Sequence, residues 1–213
     1  MANNNNGENT EIKEFLYKII VIGDIGVGKT SLIKRYVHNI FSYTYKATIG
    51  VDFALKSFNY DDKTIVRLQL WDIAGQERFG NMTRVYYKEA MAAVIVCDIT
   101  RNGTIETVQK WLYDIKEKIK LSDDSDIPIV IAINKCDLCD SEKIKEDTAQ
   151  YFKSVYKNAI DNTFLISVKE NKNIDDMFKF VTKKILDVDP QNKHLDDTII
   201  KIANTVSNKK TCC

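Results

Sequence analysis

Phe15-Leu16-Tyr17-Lys18-Ile19-Ile20-Val21-Ile22-Gly23-Asp24-Ile25-Gly26-Val27-Gly28-Lys29-Thr30 passes without a break from a β-branched strand, through a glycine-rich bend, into the start of a helix. Its second half fits GxxxxGK[ST], and the fit lies where the physics needs it, after a strand and ahead of a helical pattern over residues 30–41. Glycine allows the backbone to approach phosphate oxygens closely. The N–H groups of the bend and the helix N-terminus then form an anion cradle. Lys29 supplies a cation for β- and γ-phosphates, and the Thr30 hydroxyl a hard oxygen for Mg²⁺. Gly23, Gly26, Gly28, Lys29 and Thr30 are thus candidate phosphate and metal contacts, and a chance glycine-rich turn is the plainer alternative.

Outward from this loop, strand-like and helix-like patches alternate. Residues 51–60 and 64–72 read as strands around the turn Asp61-Asp62-Lys63. Residues 92–98 form a continuous buried-strand run, followed by a helix over about 105–121. A second buried strand covers 127–133, a helix about 141–157, a short strand 163–167 and a last helix 174–186. The pattern predicts an α/β fold of the P-loop NTPase type. Its sheet is six-stranded and mostly parallel with one antiparallel edge strand, covered by about five helices on both faces.

The loop alone does not separate GTPases, ATPases and kinases. Asn134-Lys135-Cys136-Asp137 does more, because it follows a buried strand at the end where open α/β sheets bind ligands. An Asp137 carboxylate matches the N1–H and 2-amino donors of guanine, whereas adenine would leave it unpaired, a mismatch worth about 10⁴–10⁵-fold. Ser167-Val168-Lys169, after the next strand, is placed to close over the same base with backbone N–H groups. In Trp71-Asp72-Ile73-Ala74-Gly75-Gln76, Asp72 is expected to hold Mg²⁺ through water, the Gly75 N–H to sense a γ-phosphate, and Gln76 to orient the attacking water. Thr48 is the second candidate Mg²⁺ hydroxyl. Catalysis is assigned to Gln76 and Lys29.

Composition bounds the rest. The chain has 213 residues, 44% apolar and 29% charged, which excludes a disordered polymer or a fibre. Its net charge of +1 offers no global field toward nucleic acid, so no nucleic-acid partner is expected. No apolar run has spanning length, the first residues lack a secretory pattern, and Ala2 excludes N-myristoylation, so an intracellular protein is expected. The five cysteines, at 97, 136, 139, 212 and 213, do not form a stapled framework. Cys136-Asp137-Leu138-Cys139 is a CxxC that redox or zinc chemistry could use, although Cys136 is more simply the variable position of NKxD. Cys212 and Cys213 as the last two residues are a lipidation signal.

Taken together, residues 15–186 resemble a Rab-family small GTPase. The stretches that carry the resemblance are Ile49-Gly50-Val51-Asp52-Phe53, Leu68-Gln69-Leu70-Trp71-Asp72, Gln76-Glu77-Arg78-Phe79, Tyr86-Tyr87-Lys88-Glu89-Ala90 and the terminal Cys-Cys. Ile73, where most Rabs carry Thr, and the run Phe79-Gly80-Asn81-Met82-Thr83-Arg84-Val85-Tyr86 are most similar to the Rab-thirty-two-like branch, associated with lysosome-related organelles, mitochondria and phagosomal traffic. The resemblance implies a small G-protein fold and a GTP/GDP switch with Mg²⁺ that hydrolyses GTP slowly on its own. It adds Ile25, Val27, Ser31, Tyr43 and Leu138 to the nucleotide contacts, packs Phe41 against guanine and leans Tyr45 over the phosphates. It makes Phe53, Trp71 and Tyr86 an effector-reading aromatic triad, for which plain core packing is the alternative.

It further implies an exchange factor, a GTPase-activating protein, GTP-state effectors, a geranylgeranyl transferase, an escort protein and a GDP-dissociation inhibitor. Two prenyl groups on Cys212 and Cys213 would hold the chain at the cytoplasmic face of an organelle or vesicle, with a cytosolic pool. The expected organisation is an Asn-rich arm over 1–13, a GTPase domain over 14–188 and a flexible tail over 189–213. Leu195, Ile199, Ile202 and Val206 allow a short amphipathic turn in that tail. Ile25 stands where Ras has Gly, Val168 replaces the commoner Ala, and only Lys209 and Lys210 lie beside the lipid site. A metabolic P-loop kinase would leave Asn134-Lys135-Cys136-Asp137 and the terminal cysteines without a role. A permanently GTP-loaded scaffold would leave Gln76 without one.

Overall fold

The computed structural model describes residues 12–76 and 83–189. Six strands form one sheet: β1 (Lys13–Ile22), β2 (Val51–Asp61), β3 (Thr64–Ile73), β4 (Ala92–Asp98), β5 (Ile129–Asn134) and β6 (Asn162–Leu165). Between and after them lie α1 (Lys29–His38), α2 (Thr83–Tyr87), α3 (Asn102–Glu106), α4 (Val108–Lys118), α5 (Glu142–Val155) and α6 (Ile174–Val188). The strand order is β2-β3-β1-β4-β5-β6, and every pairing is parallel except that of β2 with β3.

Alternation sorts the strand side chains into two cores. Ile19, Val21, Val94 and Val96 face a cluster closed by Leu32 of α1 and by Phe178, Val181 and Ile185 of α6. Ile20, Ile22, Ile95 and Cys97 face the opposite cluster, closed by Trp111, Leu112 and Ile115 of α4 and Phe152 of α5. All seven residues of β4 are buried, as expected of a strand covered on both faces. Each such aliphatic side chain contributes about 1.5–3 kcal/mol on burial.

Local chemistry sets the element ends. At the β2–β3 turn the Lys63 N–H donates to Asp61 Oδ1 at 2.8 Å, an Asx turn. Helix α1 stops at His38 rather than residue 41 because Asn39 turns left-handed, with φ 55°. Helix α5 starts where the Ser141 hydroxyl accepts the Ile144 N–H at 3.3 Å. Strand β5 begins at Ile129 instead of residue 127, since Pro128 has no N–H to pair and only its carbonyl accepts, from the Ala93 N–H. The helix expected over 105–121 instead begins at Asn102, pauses at Thr107 and ends at Lys118. Thr107 keeps helical angles while its hydroxyl donates to Asp24 Oδ2, so α3 and α4 form one interrupted rod. Counted so, the helices among the described residues number about five.

Strands β1 and β4 are neighbours whose following segments leave for opposite faces, α1 beside one core and α3–α4 beside the other. That is the switch point at which open α/β sheets place ligands, outside the carboxyl ends of their strands. Loops 23–28, 74–76, 99–101, 135–138 and 166–173 all gather at this edge.

Candidate functional site

A cavity of about 650 Å³ opens at that edge. Gly28, at φ 104°, caps the start of α1, and a Cβ there would lie 2.4 Å from Asn134 Nδ2. No other residue fits that position without moving the base loop. Lys29 is buried, and its ammonium donates to the carbonyls of Gly23 at 2.8 Å and Asp24 at 2.9 Å. Burial pushes this ammonium down to about 8, against the pull of Asp72 and Asp24. The loop is held from outside as well. Asp24 accepts from Thr107 Oγ1 at 2.8 Å and Trp111 Nε1 at 3.0 Å, while Arg101 Nη2 donates to the Ile25 carbonyl at 2.9 Å.

Asn134 joins this loop to the next. Its Nδ2 donates to the Val27 carbonyl at 2.8 Å, and its Oδ1 accepts the Val168 N–H at 3.2 Å. Asp137 Oδ1 accepts the Ser167 hydroxyl at 2.7 Å, and the same hydroxyl oxygen accepts the Glu170 N–H. The carboxylate is thereby aimed while remaining partly exposed at the cavity. Lys135 pairs with buried Asp98 at 2.6 Å. Burial works against the Asp98 charge, yet its bonds from Lys135 and Thr100 hold the carboxyl below the ordinary range. Arg35 of α1 fastens the last loop, donating from Nε to the Val168 carbonyl and from Nη2 to the Lys169 carbonyl, each at 3.0 Å.

On the other side three oxygens converge. Thr30 Oγ1 lies 2.7 Å from Thr48 Oγ1 and donates to Asp72 Oδ2 at 2.5 Å, and Thr48 Oγ1 reaches the same carboxylate oxygen at 3.2 Å. Burial drives the Asp72 carboxyl up, and its Oδ1 is buried without a hydrogen-bond partner among the described residues. Two hydroxyls and a carboxylate form a hard-oxygen set that fits Mg²⁺, and the unpartnered oxygen is the acceptor a metal-bound water would satisfy. A Cβ on Gly75 would fall 2.6 Å from the Ile25 N–H nitrogen, so the loop after β3 rests on the phosphate loop.

Ile25, Gly26, Gly28, Lys29, Thr30, Ser31, Phe41, Tyr43, Tyr45, Thr48, Gly75, Gln76, Asn134, Lys135, Asp137, Leu138, Val168 and Lys169 all line the cavity. Gly23, Val27, Asp72 and Ser167 stand behind the wall and act on it through the contacts described. Phe41 and Tyr43 meet edge to face at 5.2 Å. Away from the cavity, Phe53 is largely exposed and stacks with Trp71 at 6.2 Å, while Lys18 Nζ sits 3.6 Å over the Trp71 ring. Trp71 and Tyr86 are half-buried against the second core, so core packing describes part of their role and leaves Phe53 free. Cys212 and Cys213 lie outside the described residues, as do residues 77–82. Among the described residues no helix is long and apolar enough to cross a membrane.

Five supporting residues escaped sequence reasoning: Asp24, Arg35, Asp98, Arg101 and Trp111. None belongs to a recurring motif position named above except Asp24, which stands at a variable position of the phosphate loop. The only signal available was a charged residue closing a buried strand, as at Asp98.

A family model described as the Ras family matches residues 18–187. The chain is 50% identical to Ras-related protein Rab-32A of Dictyostelium discoideum, covering 99% of each chain. Against human Ras-related protein Rab-32 it is also 50% identical, over 95% of this chain and 92% of the relative. Human Ras-related protein Rab-7L1 is 43% identical over 82% of this chain and 84% of its own. Exchange factors, GTPase-activating proteins, effectors and GDP-dissociation inhibitors are the partners that go with this family. On these likenesses and on its fold the chain belongs to the Ras family, in the Rab-32-like branch of the Rab small GTPases, which bind GTP or GDP with Mg²⁺, hydrolyse GTP to GDP and serve as switches in membrane trafficking.

Proposed function

We propose that the 650 Å³ cavity is where this chain holds GTP or GDP, with the roles divided among the residues around it. The observation that carries the reading is convergence: Asp137 on Ser167, Lys29 on its own loop, and Thr30, Thr48 and Asp72 on one another, all about a single cavity. Asp137 accepts the two guanine donors, the 167–169 backbone closes over the base, and Phe41 covers its face. Lys29 and the N–H groups of residues 25–30 hold the phosphates. The Thr30 and Thr48 hydroxyls and, through water, Asp72 would hold Mg²⁺, which when bound would supply charge neutralisation for the phosphates. Gln76 orients the attacking water and the Gly75 N–H reports the γ-phosphate. The phosphate loop carries no arginine, so an activating partner supplies the charge that speeds hydrolysis.

The site of action is the cytoplasmic face of an endosomal, lysosome-related or mitochondrial membrane. Geranylgeranyl groups on Cys212 and Cys213, added with a transferase and an escort protein, provide the anchor. One chain gives only marginal, reversible binding, and two basic residues near the end add little to it. Two measurements test the reading. Nucleotide extracted from the purified chain is expected to be GDP or GTP, and equal affinity for ATP would overturn the site assignment. Intact mass spectrometry of protein recovered from eukaryotic membranes is expected to find two prenyl groups, and an unmodified C-terminus would overturn the anchor.

A further inference from the structure

We propose that Arg101 is a positioning residue for the phosphate loop, and that buried Asp98, shared by Arg101 and Lys135, fastens the phosphate and guanine loops into one unit. Asp98 ends β4 with its side chain 1% exposed. Its Oδ2 takes Lys135 Nζ at 2.6 Å and Arg101 Nε at 3.0 Å, and its Oδ1 takes the Thr100 N–H and hydroxyl at 3.0 and 2.7 Å. A carboxylate so deep is tolerable only when paired on both oxygens, and here it is. The second arm of the same guanidinium, Nη2, donates to the Ile25 carbonyl at 2.9 Å.

One planar fork therefore bridges an acid on β4 and a carbonyl on the phosphate loop. A lysine, with a single ammonium on a flexible stem, lacks that geometry. The guanidinium also lies 3.8 Å from where a side chain on Gly26 would begin, so it covers the outer face of the loop. Its charge is felt at Lys29, whose proton it repels. At the other end, Lys135 sits at φ 64°, a left-handed conformation that costs a lysine energy and that its bond to Asp98 helps to hold. Loosening either loop to release nucleotide disturbs the one anion both depend on.

The proposal rests on the cavity being the nucleotide site, which tight GDP binding by the wild type, measured first, establishes separately. Dissociation of a fluorescent GDP from the full chain is then compared for the wild type, Arg101→Ala, Arg101→Lys, Asp98→Asn and the Asp98→Asn/Arg101→Ala double variant. Arg101 is half-exposed, so its variants are expected to fold. Arg101→Ala is expected to release GDP about tenfold faster, the low end for a charge-assisted bond. Arg101→Lys recovers less than half of that effect, and preference for guanine over adenine stays unchanged in both. Adding Arg101→Ala to Asp98→Asn multiplies the rate by less than about threefold, because the anchor is already gone. A release rate within twofold of wild type for Arg101→Ala, full rescue by lysine, or a lowered melting temperature with unaltered release would each overturn the proposal.

Discussion

The base-and-phosphate side of the cavity and the segment between α1 and β2 face the same space but are held in different ways. On the first side, Asn134, Asp24, Arg35 and Arg101 reach across 76 to 134 positions of sequence to fix loop backbones. On the second, residues 40–49 make few fixed contacts. Tyr43 and Tyr45 are exposed, Ile49 is 93% exposed, and among the described residues Thr48 is tied in through the Thr30–Asp72 cluster. The antiparallel register then resumes at Val51 with Ile73. Binding is thus built into the part that packing has already fixed. Sensing falls to a stretch with fewer long-range hydrogen bonds among the described residues, the kind of segment a bound phosphate can order.

The strongest way to break the comparison is at the fixed side. Asp137→Asn is expected to move preference from GTP toward xanthosine triphosphate by about 10⁴-fold, because the new amide donates where the carboxylate accepted. Competition binding reads it, and an unchanged preference would mean that the guanine subsite is elsewhere. Next is Gln76→Leu, in the loop after β3 that faces the sensing segment across the cavity. GTP hydrolysis stimulated by an activating protein is expected to fall about 10³-fold with GDP affinity unaltered, read by single-turnover phosphate release.

A pH series gives a smaller effect and separates the two sides cleanly. In the empty protein Lys29 titrates at about 8, below its unfolded value of 10.5. Between these values the unfolded chain binds more protons, so this group's contribution to the stability of the empty protein rises with pH from about 8 to 10.5. Nucleotide phosphates favour the charged form, so binding above pH 8 takes up a proton, and GDP affinity is expected to fall by up to tenfold per pH unit there. Isothermal titration in buffers of different ionisation heat detects that proton, and Lys29→Met is expected to abolish it.

Arg35→Ala, which frees the Val168 and Lys169 carbonyls, is expected to speed GDP release several-fold to about tenfold in stopped flow. Thr48→Ala should have the smallest effect on GDP, within about threefold, while reducing the Mg²⁺ dependence of GTP binding. If Thr48→Ala matched Arg35→Ala on GDP release, the division between fixed and sensing sides would fail.

The sheet, its hairpin edge and the three nucleotide motifs were legible in sequence because each is a contiguous pattern whose spacing already encodes geometry. Asp137 reads as a guanine acceptor from four adjacent residues, and β4 as a buried strand from seven. What could not be read were contacts fixed by tertiary placement alone. Nothing near Trp111 announces that its indole N–H will find Asp24, 87 residues earlier, and nothing near Arg35 announces Val168, 133 residues later. One element boundary shares this character: the helical pattern pauses at Thr107, whose hydroxyl meets an acid on another loop.

The bond from the Tyr17 hydroxyl to Asp189 Oδ2, 2.6 Å long, fastens the first strand to the end of the last helix. Burial and that neighbouring carboxylate push the phenol's ionisation well above its usual range, so the hydroxyl keeps the proton it donates. Its reach of 172 positions has a meaning for biosynthesis. The phosphate loop leaves the ribosome early, but the 167–169 loop and the α6 side chains that complete its core come last. At about 5–20 residues per second, the nascent chain waits on the order of ten seconds or more before its own ligand can stabilise it. During that interval the apolar face of β1 meant for α6 is uncovered, so the first strand is made long before the helix that buries it.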